Sequence, residues 1–451
     1  MESSSVALII TLIMLVLYVS ELLPIAVTSV LACIAMAVFG VTPPGSAFSG
    51  FGNDILFMLS GMMIVGAALF ETGAASVIGK RILRVVGTNE RVFIAALILF
   101  SVPFSAFLSN TATAAIMLPI AASAITASGG KLKKKNTYMM VGIACVSGGS
   151  LTLVSSTPQL IAQGLLQDGG HQTIRFFELS RFALPQLVLL IIYCVTIGHS
   201  MQKRYFDFPE IADEAADASA DDSAGRDERA KSVQPADSAL PGSAQKSVPG
   251  GLPVKPYKMW ISIGALAFCV AGFITGLWSL GVVAMTGAAV TVATGCISLK
   301  TVFQKMDWTT VIVMGCSFCF ASGFEQSGAG RLIAGWMITL LGDSISPWLL
   351  FSALALVTII LTNFMTSTAT GALIVPIAIF TAIEMGYDVK SAAMAVAIAA
   401  NIGYATPIST APLTMTLTAG YRFKDYVRLG GLFNALAYAL LALLMPLMLK
   451  M

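Results

Sequence analysis

Two clusters of small, oxygen-bearing side chains recur in this chain: Ser109, Asn110 and Thr111 in "SNTATAAIMLPIA", and Thr366, Ser367 and Thr368 in "TSTATGALIVPIA". Hydroxyls and a carboxamide are neutral, and each offers an oxygen to a cation and a proton to an anion. None is a strong acid, base or nucleophile, so the chemistry they suit is reversible binding and release. A second motif also occurs twice. "GGSLTLVSSTPQL" from Gly148 aligns with "IGYATPISTAPL" from Ile402, which sets Thr152 on Thr406, Ser156 on Thr410 and Pro158 on Pro412. A membrane enzyme would need catalytic groups, and the apolar segments hold no His-rich, paired-carboxylate or Cys/His constellation.

The elements that carry these clusters must lie in a membrane, because 57% of the 451 residues are hydrophobic, 11% are charged and the mean hydropathy is +0.85. A bilayer core needs roughly 20 apolar residues per helical crossing, and the chain has room for about ten crossings. Alternating β-barrel patterning is absent, so backbone satisfaction in lipid points to a polytopic all-α bundle. Val6 to Ser20 lacks a basic leader and a small-residue cleavage site and is expected to stay as the first helix. Phe206–Pro256 holds ten acids and five bases with almost no large apolar residue, the composition of a disordered linker. Removing it leaves 21 Lys/Arg against 13 Asp/Glu, a bias suited to membrane-flanking loops and not to a nucleic-acid partner.

The linker divides the chain into 1–205 and 257–451, and the halves superpose as sequences. "FSGFGNDILFMLSGMMIVGAALFETGA" from Phe48 aligns on "FQKMDWTTVIVMGCSFCFASGFEQSGA" from Phe303 without a gap. Three matched blocks in one order indicate an internal duplication, which in transporters often has inverted membrane orientation. Charge supports inversion. The stretch 92–128 is flanked by Lys80, Arg81, Arg84 and Arg91 and by Lys131, Lys133, Lys134 and Lys135, which puts both its ends in the cytoplasm. The stretch 347–383 is flanked by Arg331 and Lys390 against Glu325, Asp343, Glu384 and Asp388, an external character. Arms of about 15–17 residues with a polar turn predict re-entrant hairpins entering from opposite sides. Pro158, Pro407 and Pro412 predict a broken helix in each half, whose free carbonyls can hold a cation and whose helix N-termini can face an anion.

These residues resemble the divalent anion/sodium symporters, carriers of di- and tricarboxylates or sulfate within the wider ion transporter superfamily. Ser109-Asn110-Thr111 looks like the family's Ser-Asn-Thr signature, Thr366-Ser367-Thr368 like its degenerate second copy, and Ala405-Thr406-Pro407 is similar to its Ala-Thr-Pro motif. The resemblance implies an elevator-type homodimer with scaffold and transport domains. It implies a first sodium site from Ser109, Asn110 and backbone near Ser105 and Gly149 or Ser150. A second would use Thr362, Met365 backbone, Ser367 and backbone near Gly403. Asn110, Thr111, Ser367, Thr368, Thr406 and Pro407 would surround the anion. The family usually has Asn in both clusters, so Ser367 puts the second sodium site in question and leaves room for sodium-independent exchange. An Asn that commonly follows the prolines is Gln159 in one half and Leu413 in the other. The expectation is a sodium-coupled secondary anion transporter of the plasma (inner) membrane with a cytoplasmic linker and, on ten crossings, both termini outside. An ion channel is the alternative of a different class.

Other conspicuous residues have structural readings. Glu21, Glu71 and Glu325 sit at predicted helix ends, where interfacial solvation competes with proton coupling. His171 and His199 are expected in loops or at the interface. Tyr421, Arg422, Lys424 and Arg428 form an interfacial basic segment with headgroup contact. The seven cysteines, including the Cys316/Cys319 CxxC, fall in apolar segments, where a reduced thiol packs as a small hydrophobe.

Overall fold

The structure is a computed structural model, and it describes residues 3–73, 89–129, 131–206, 256–333, 335 and 346–448. The linker interior, Lys80, Arg81, Arg84 and Asp343 lie outside the described residues, so the expectations placed on them are not addressed by it.

The chain is all-helical, with no strand among the described residues. In the first half, α1 (Ser3–Ser20) and α2 (Ile25–Val38) precede α3 (Asp54–Glu71). A hairpin follows, α4 (Glu90–Phe107) and α5 (Asn110–Ala127), and then α6 (Lys134–Gly148), α7 (Thr157–Asp168), α8 (Ser180–Tyr193) and α9 (His199–Tyr205). The second half runs α10 (Pro256–Thr275), α11 (Leu280–Ala293), α12 (Leu299–Lys305) and α13 (Trp308–Gln326), with a hairpin of α14 (Pro347–Thr362) and α15 (Ser367–Glu384). It closes with α16 (Val389–Ala399), α17 (Ala411–Thr416) and α18 (Phe423–Met448). Eight apolar stretches among the described residues are long enough to cross a membrane; α2 and α11 are apolar but have only 14 residues.

The duplication extends back to α1. Adding 255 to the bounds of α2 gives those of α11, and adding 257 to those of α5 gives those of α15. Left-handed glycines repeat on the same offsets: Gly40 with Gly295, Gly73 with Gly328, and Gly129 with Gly386. Only a residue without Cβ adopts this backbone cheaply, so helix endings recur where such glycines recur. Glu21, at φ 51°, matches Gly276 at φ 62° and is the exception. The halves also exchange partners: α3 packs on α11, and its counterpart α13 packs on α2. At the first contact Gly61 lies so close to Ala284 that a Cβ there would fall 2.5 Å from its carbonyl carbon.

The hairpin arms have 16 to 18 residues, longer than the sequence suggested. At 1.5 Å per residue they reach about 24–27 Å, so arm length alone does not identify re-entry. Instead, the two arms turn over two to four residues, and both tips end against the breaks of α6/α7 and α16/α17. The prolines act as expected of chain breakers: Pro158 and Pro412 start α7 and α17, while Pro407 lies in the irregular, bent stretch between α16 and α17.

Candidate functional site

Each hairpin tip has the same local construction. Ser109 caps α5 by accepting from Ala112 N at 3.2 Å, and Thr366 caps α15 by accepting from Ala369 N at 3.2 Å. One turn on, the Thr113 hydroxyl donates to Ser109 O at 3.2 Å and that of Thr370 to Thr366 O at 3.1 Å. A β-region residue with a hydroxyl is a good N-cap because its oxygen satisfies a first-turn N–H that has no helical partner. Ser109 and Thr366 therefore start the helices, and Asn110/Thr111 and Ser367/Thr368 occupy their first two helical positions. Thr111 is exposed, while Asn110, Ser367 and Thr368 are half-buried.

The breaks are tied to the tips by the same repeated pattern. Ser105 donates to Cys145 O at 2.5 Å, and its counterpart Thr362 to Ala400 O at 2.9 Å. Thr152 donates to Ala106 O, and Thr406 to Asn363 O at 2.7 Å, so each hydroxyl serves a carbonyl at the end of a hairpin's first arm. Ser155 donates to Gly149 O at 2.8 Å and Ser409 to Gly403 O, which closes both breaks into tight loops. All six hydroxyl residues are buried. Buried helix breaks hold together only if their freed carbonyls find donors, and Ser and Thr supply them.

The two tips differ at the position where the sequences differ. Asn110 Oδ1 accepts from Ser105 Oγ at 2.8 Å, and the carboxamide lies flat against Gly149, where a Cβ would come within 2.4 Å of Oδ1 and 2.6 Å of Nδ2. Ser105, Asn110 and Gly149 thus meet at one point. A single Ser105 proton there serves two acceptors, Asn110 Oδ1 and Cys145 O. At the second tip the Ser367 side chain makes no hydrogen bond among the described residues, although its N–H donates to Ser409 O at 3.0 Å. Gly403 faces Ser409 and Thr362 instead, 2.9 and 3.1 Å from a would-be Cβ. Ser409 also has two acceptors, Gly403 O and Thr406 O. Thr362, Gly403 and Ser367 are thus gathered about Ser409; Met365 is buried in the turn, and Ser150 in the first break.

Both oxygen sets are neutral. No group of three or more His, Cys, Asp or Glu able to hold a metal ion occurs among the described residues. Hydroxyl, amide and carbonyl oxygens without a carboxylate suit a weakly held monovalent cation, and the residues present fit sodium as cargo in that respect.

Sequence reasoning missed the residues that join the halves and those that tie the second break to α14 and α18. Ser147 and Tyr404 hydroxyls are 3.0 Å apart, Gln186 Nε2 donates to Tyr404 Oη at 2.8 Å, and Ser156 donates to Asn401 Oδ1 at 2.5 Å. Asn363 Oδ1 accepts from Ala405 N and from Asn434 Nδ2, each at 3.0 Å, while Asn434 Oδ1 accepts from Tyr404 N at 2.9 Å. An asparagine inside an apolar run, as Asn434 is in α18, was the available signal. Gln159 is fully buried with its carboxamide unpartnered among the described residues, and Pro158 beside it packs on Gly371 of α15.

The other candidates sort by position. Of the two expectations for His199 the loop fails: it is buried at the start of α9, with Nε2 3.6 Å from Glu90 Oε2. Glu71 pairs with Lys305 at 2.5 Å at a helix end, Glu325 is exposed, and Glu21 lies exposed in the α1–α2 turn. Cys33, Cys316 and Cys319 pack together as buried thiols. Tyr421 is buried, its hydroxyl against Lys134 O and Lys135 O, while Arg422, Lys424 and Arg428 are exposed.

Comparison with known proteins places this geometry in context. The family described as "Citrate transporter" matches residues 15–395. An uncharacterized transporter of Haemophilus influenzae is 25% identical over 95% of this chain and 88% of its own. A sodium-dependent dicarboxylate transporter of Staphylococcus saprophyticus, SdcS, is 24% identical over 94% of this chain and 82% of its own. Among solved structures, the YdaH transporter of Alcanivorax borkumensis has a similar fold, with a TM-score of 0.61 at 15% identity over 91% of this chain and 87% of that one.

Proposed function

The chain belongs to the citrate transporter family, and from that premise we propose that this multi-pass membrane transporter is a secondary carrier of a di- or tricarboxylate or similar divalent anion, coupled to sodium. The observation that carries this reading is the paired tip-and-break construction: neutral oxygens converge at Ser105/Asn110/Gly149 and again at Thr362/Gly403/Ser409. Sodium-dependent dicarboxylate transporters among the relatives support the choice of cation and anion.

In this mechanism Ser109, Asn110 and backbone near Ser105 and Gly149 or Ser150 hold one sodium. Thr362, Met365 backbone, Ser367 and backbone at Gly403 hold the second. Asn110, Thr111, Ser367, Thr368, Thr406 and Pro407 surround the anion. No arginine stands at either tip. Recognition then rests on hydroxyl and amide donors, the helix N-termini of α5 and α15, and the positive charge of bound sodium. Cation binding replaces the shared hydroxyl protons as the partner of the carbonyls and turns those hydroxyls toward the anion. The hairpins and broken helices move together as one body against the remaining helices, in an elevator-type homodimer with oppositely oriented halves. Lys133, Lys134, Lys135, Arg204 and Arg422 gather at one end of the bundle, which favours placing that end in the cytoplasm.

Uptake of radiolabelled succinate, citrate and sulfate into proteoliposomes tests the reading. An inward sodium gradient is expected to drive uptake of at least one carboxylate, and potassium alone is expected not to. Uptake that requires only preloaded substrate favours a second reading, sodium-independent exchange, for which the unpartnered Ser367 side chain is the specific motive.

A further inference from the structure

Far from the tips, at the base of the first hairpin, Arg91, Thr196, Ile197, Ser200, Arg204 and Tyr205 line a groove of about 510 Å3. Arg428 of α18 brings its guanidinium to 5.1 Å from the centre of the Tyr205 ring, and that of Arg204 is 5.7 Å from it. Arg91 and Arg204 thus line one concave surface, and Arg428 reaches the groove's Tyr205 ring from α18, so two of the three guanidinium groups are ordered by one aromatic ring. None of the three arginines forms a salt bridge among the described residues. The neighbouring carboxylates are already engaged. Glu90 accepts from Asn136 Nδ2 at 2.8 Å and lies 3.7 Å from Lys203 Nζ and 3.6 Å from His199 Nε2, while Asp425 accepts from Arg422 N at 2.8 Å. The groove is therefore an anion site in charge.

Its apolar side says which anion. Leu184, Val188, Ile192 and Ile197 are 53%, 57%, 56% and 48% exposed and run in steps of four, four and five residues along α8 into the groove. The five-residue step spans a π-helical turn, Cys194–Gly198, whose extra residue keeps Ile197 on the face that regular helical steps would leave. An exposed aliphatic stripe that ends at clustered guanidiniums matches an amphiphile, with acyl chain on the stripe and phosphate among the arginines.

We propose that this groove is a headgroup site for an anionic phospholipid, held through its phosphodiester by Arg91, Arg204 and Arg428. It is separate from the transported anion's site, since the α4 helix sets about 24 Å between Arg91 and the hairpin tip. A bound lipid clasps α4, α9 and α18 together at the base of the first hairpin.

Native mass spectrometry of the full chain in detergent, supplied with equal phosphatidylglycerol and phosphatidylcholine, tests the assignment. The protein is expected to retain phosphatidylglycerol preferentially, and each guanidinium removed is expected to lower that retention about fivefold. Arg91→Gln/Arg204→Gln/Arg428→Gln should therefore abolish the preference. Arg204→Gln alone, on an exposed turn, gives the same sign in a variant whose unchanged unfolding temperature certifies its fold. Equal retention of the two lipids, or unchanged preference in folded Arg204→Gln, overturns the proposal. Displacement of the lipid by inorganic phosphate or glycerol phosphate also overturns it, by assigning the groove to a free anion.

Discussion

At the scale of single residues, the account rests on Asn110 and on the glycine that leaves room for it. Asn110→Ala removes an oxygen from the first cluster, and loss of a contact to a charged group at about 1.5–3 kcal/mol lowers affinity about ten- to a hundredfold. Sodium-driven uptake is expected to collapse while the unfolding temperature holds. Gly149→Ala should reproduce that phenotype without touching Asn110, because the new Cβ would fall 2.4 Å from Oδ1 and the carboxamide, the more flexible partner, must leave. Normal uptake in Gly149→Ala would show that the Asn110–Gly149 contact is not used. Ser367→Asn restores the longer side chain at the second tip and is expected to steepen the sodium dependence of uptake; an unchanged response would count against a weakened second site. Glu21 is a different case. It holds a left-handed conformation where its counterpart is Gly276, so Glu21→Gly should raise stability by about 1 kcal/mol and leave transport intact. Loss of transport would instead restore Glu21 as a coupling carboxylate. Composition and motif made Asn110 and the hydroxyl clusters legible in the sequence. That Ser109 and Thr366 are caps was not, because a cap is defined by the backbone dihedral of its residue and by the N–H it receives.

At the scale of elements, the prolines and the spacing of apolar runs made the hairpins and broken helices legible, whereas the arm lengths were underestimated. The sequence reading stopped arms short of the charged residues; the helices continue to Glu90, whose carboxylate is held by Asn136, and to Glu384, which pairs with Arg331. The ties between elements were not legible, because a serine hydroxyl and the carbonyl it serves share no sequence pattern. Those ties make a stability prediction. Thr152→Val and Thr406→Val each leave a buried arm-end carbonyl, Ala106 O or Asn363 O, without its donor, and each is expected to cost about 1–3 kcal/mol in detergent unfolding. If neither variant unfolds earlier, these hydroxyls do not hold the breaks to the hairpins.

At the scale of the whole molecule, the duplication organises everything else: matched helix bounds, matched left-handed glycines and exchanged packing partners place two like tips against two like breaks. Hydropathy and the repeated blocks carried that much in the sequence. The contacts between halves through Tyr404 and Asn401 were silent there, since residues 245 and 257 apart in the chain become neighbours only by folding. The central claim is that both tips enclose one transported anion and open alternately to the two sides. All seven native cysteines are buried, so single cysteines introduced as Thr111→Cys and Thr368→Cys can be read by a membrane-impermeant thiol reagent. The first measurement is therefore labelling of each variant in oriented vesicles, with and without sodium and the transported carboxylate. The account predicts that the two positions label together, from whichever side the site is open to, and that sodium with substrate protects both. Protection of one position alone, or labelling of the two positions from opposite sides whatever the ligand, would contradict it.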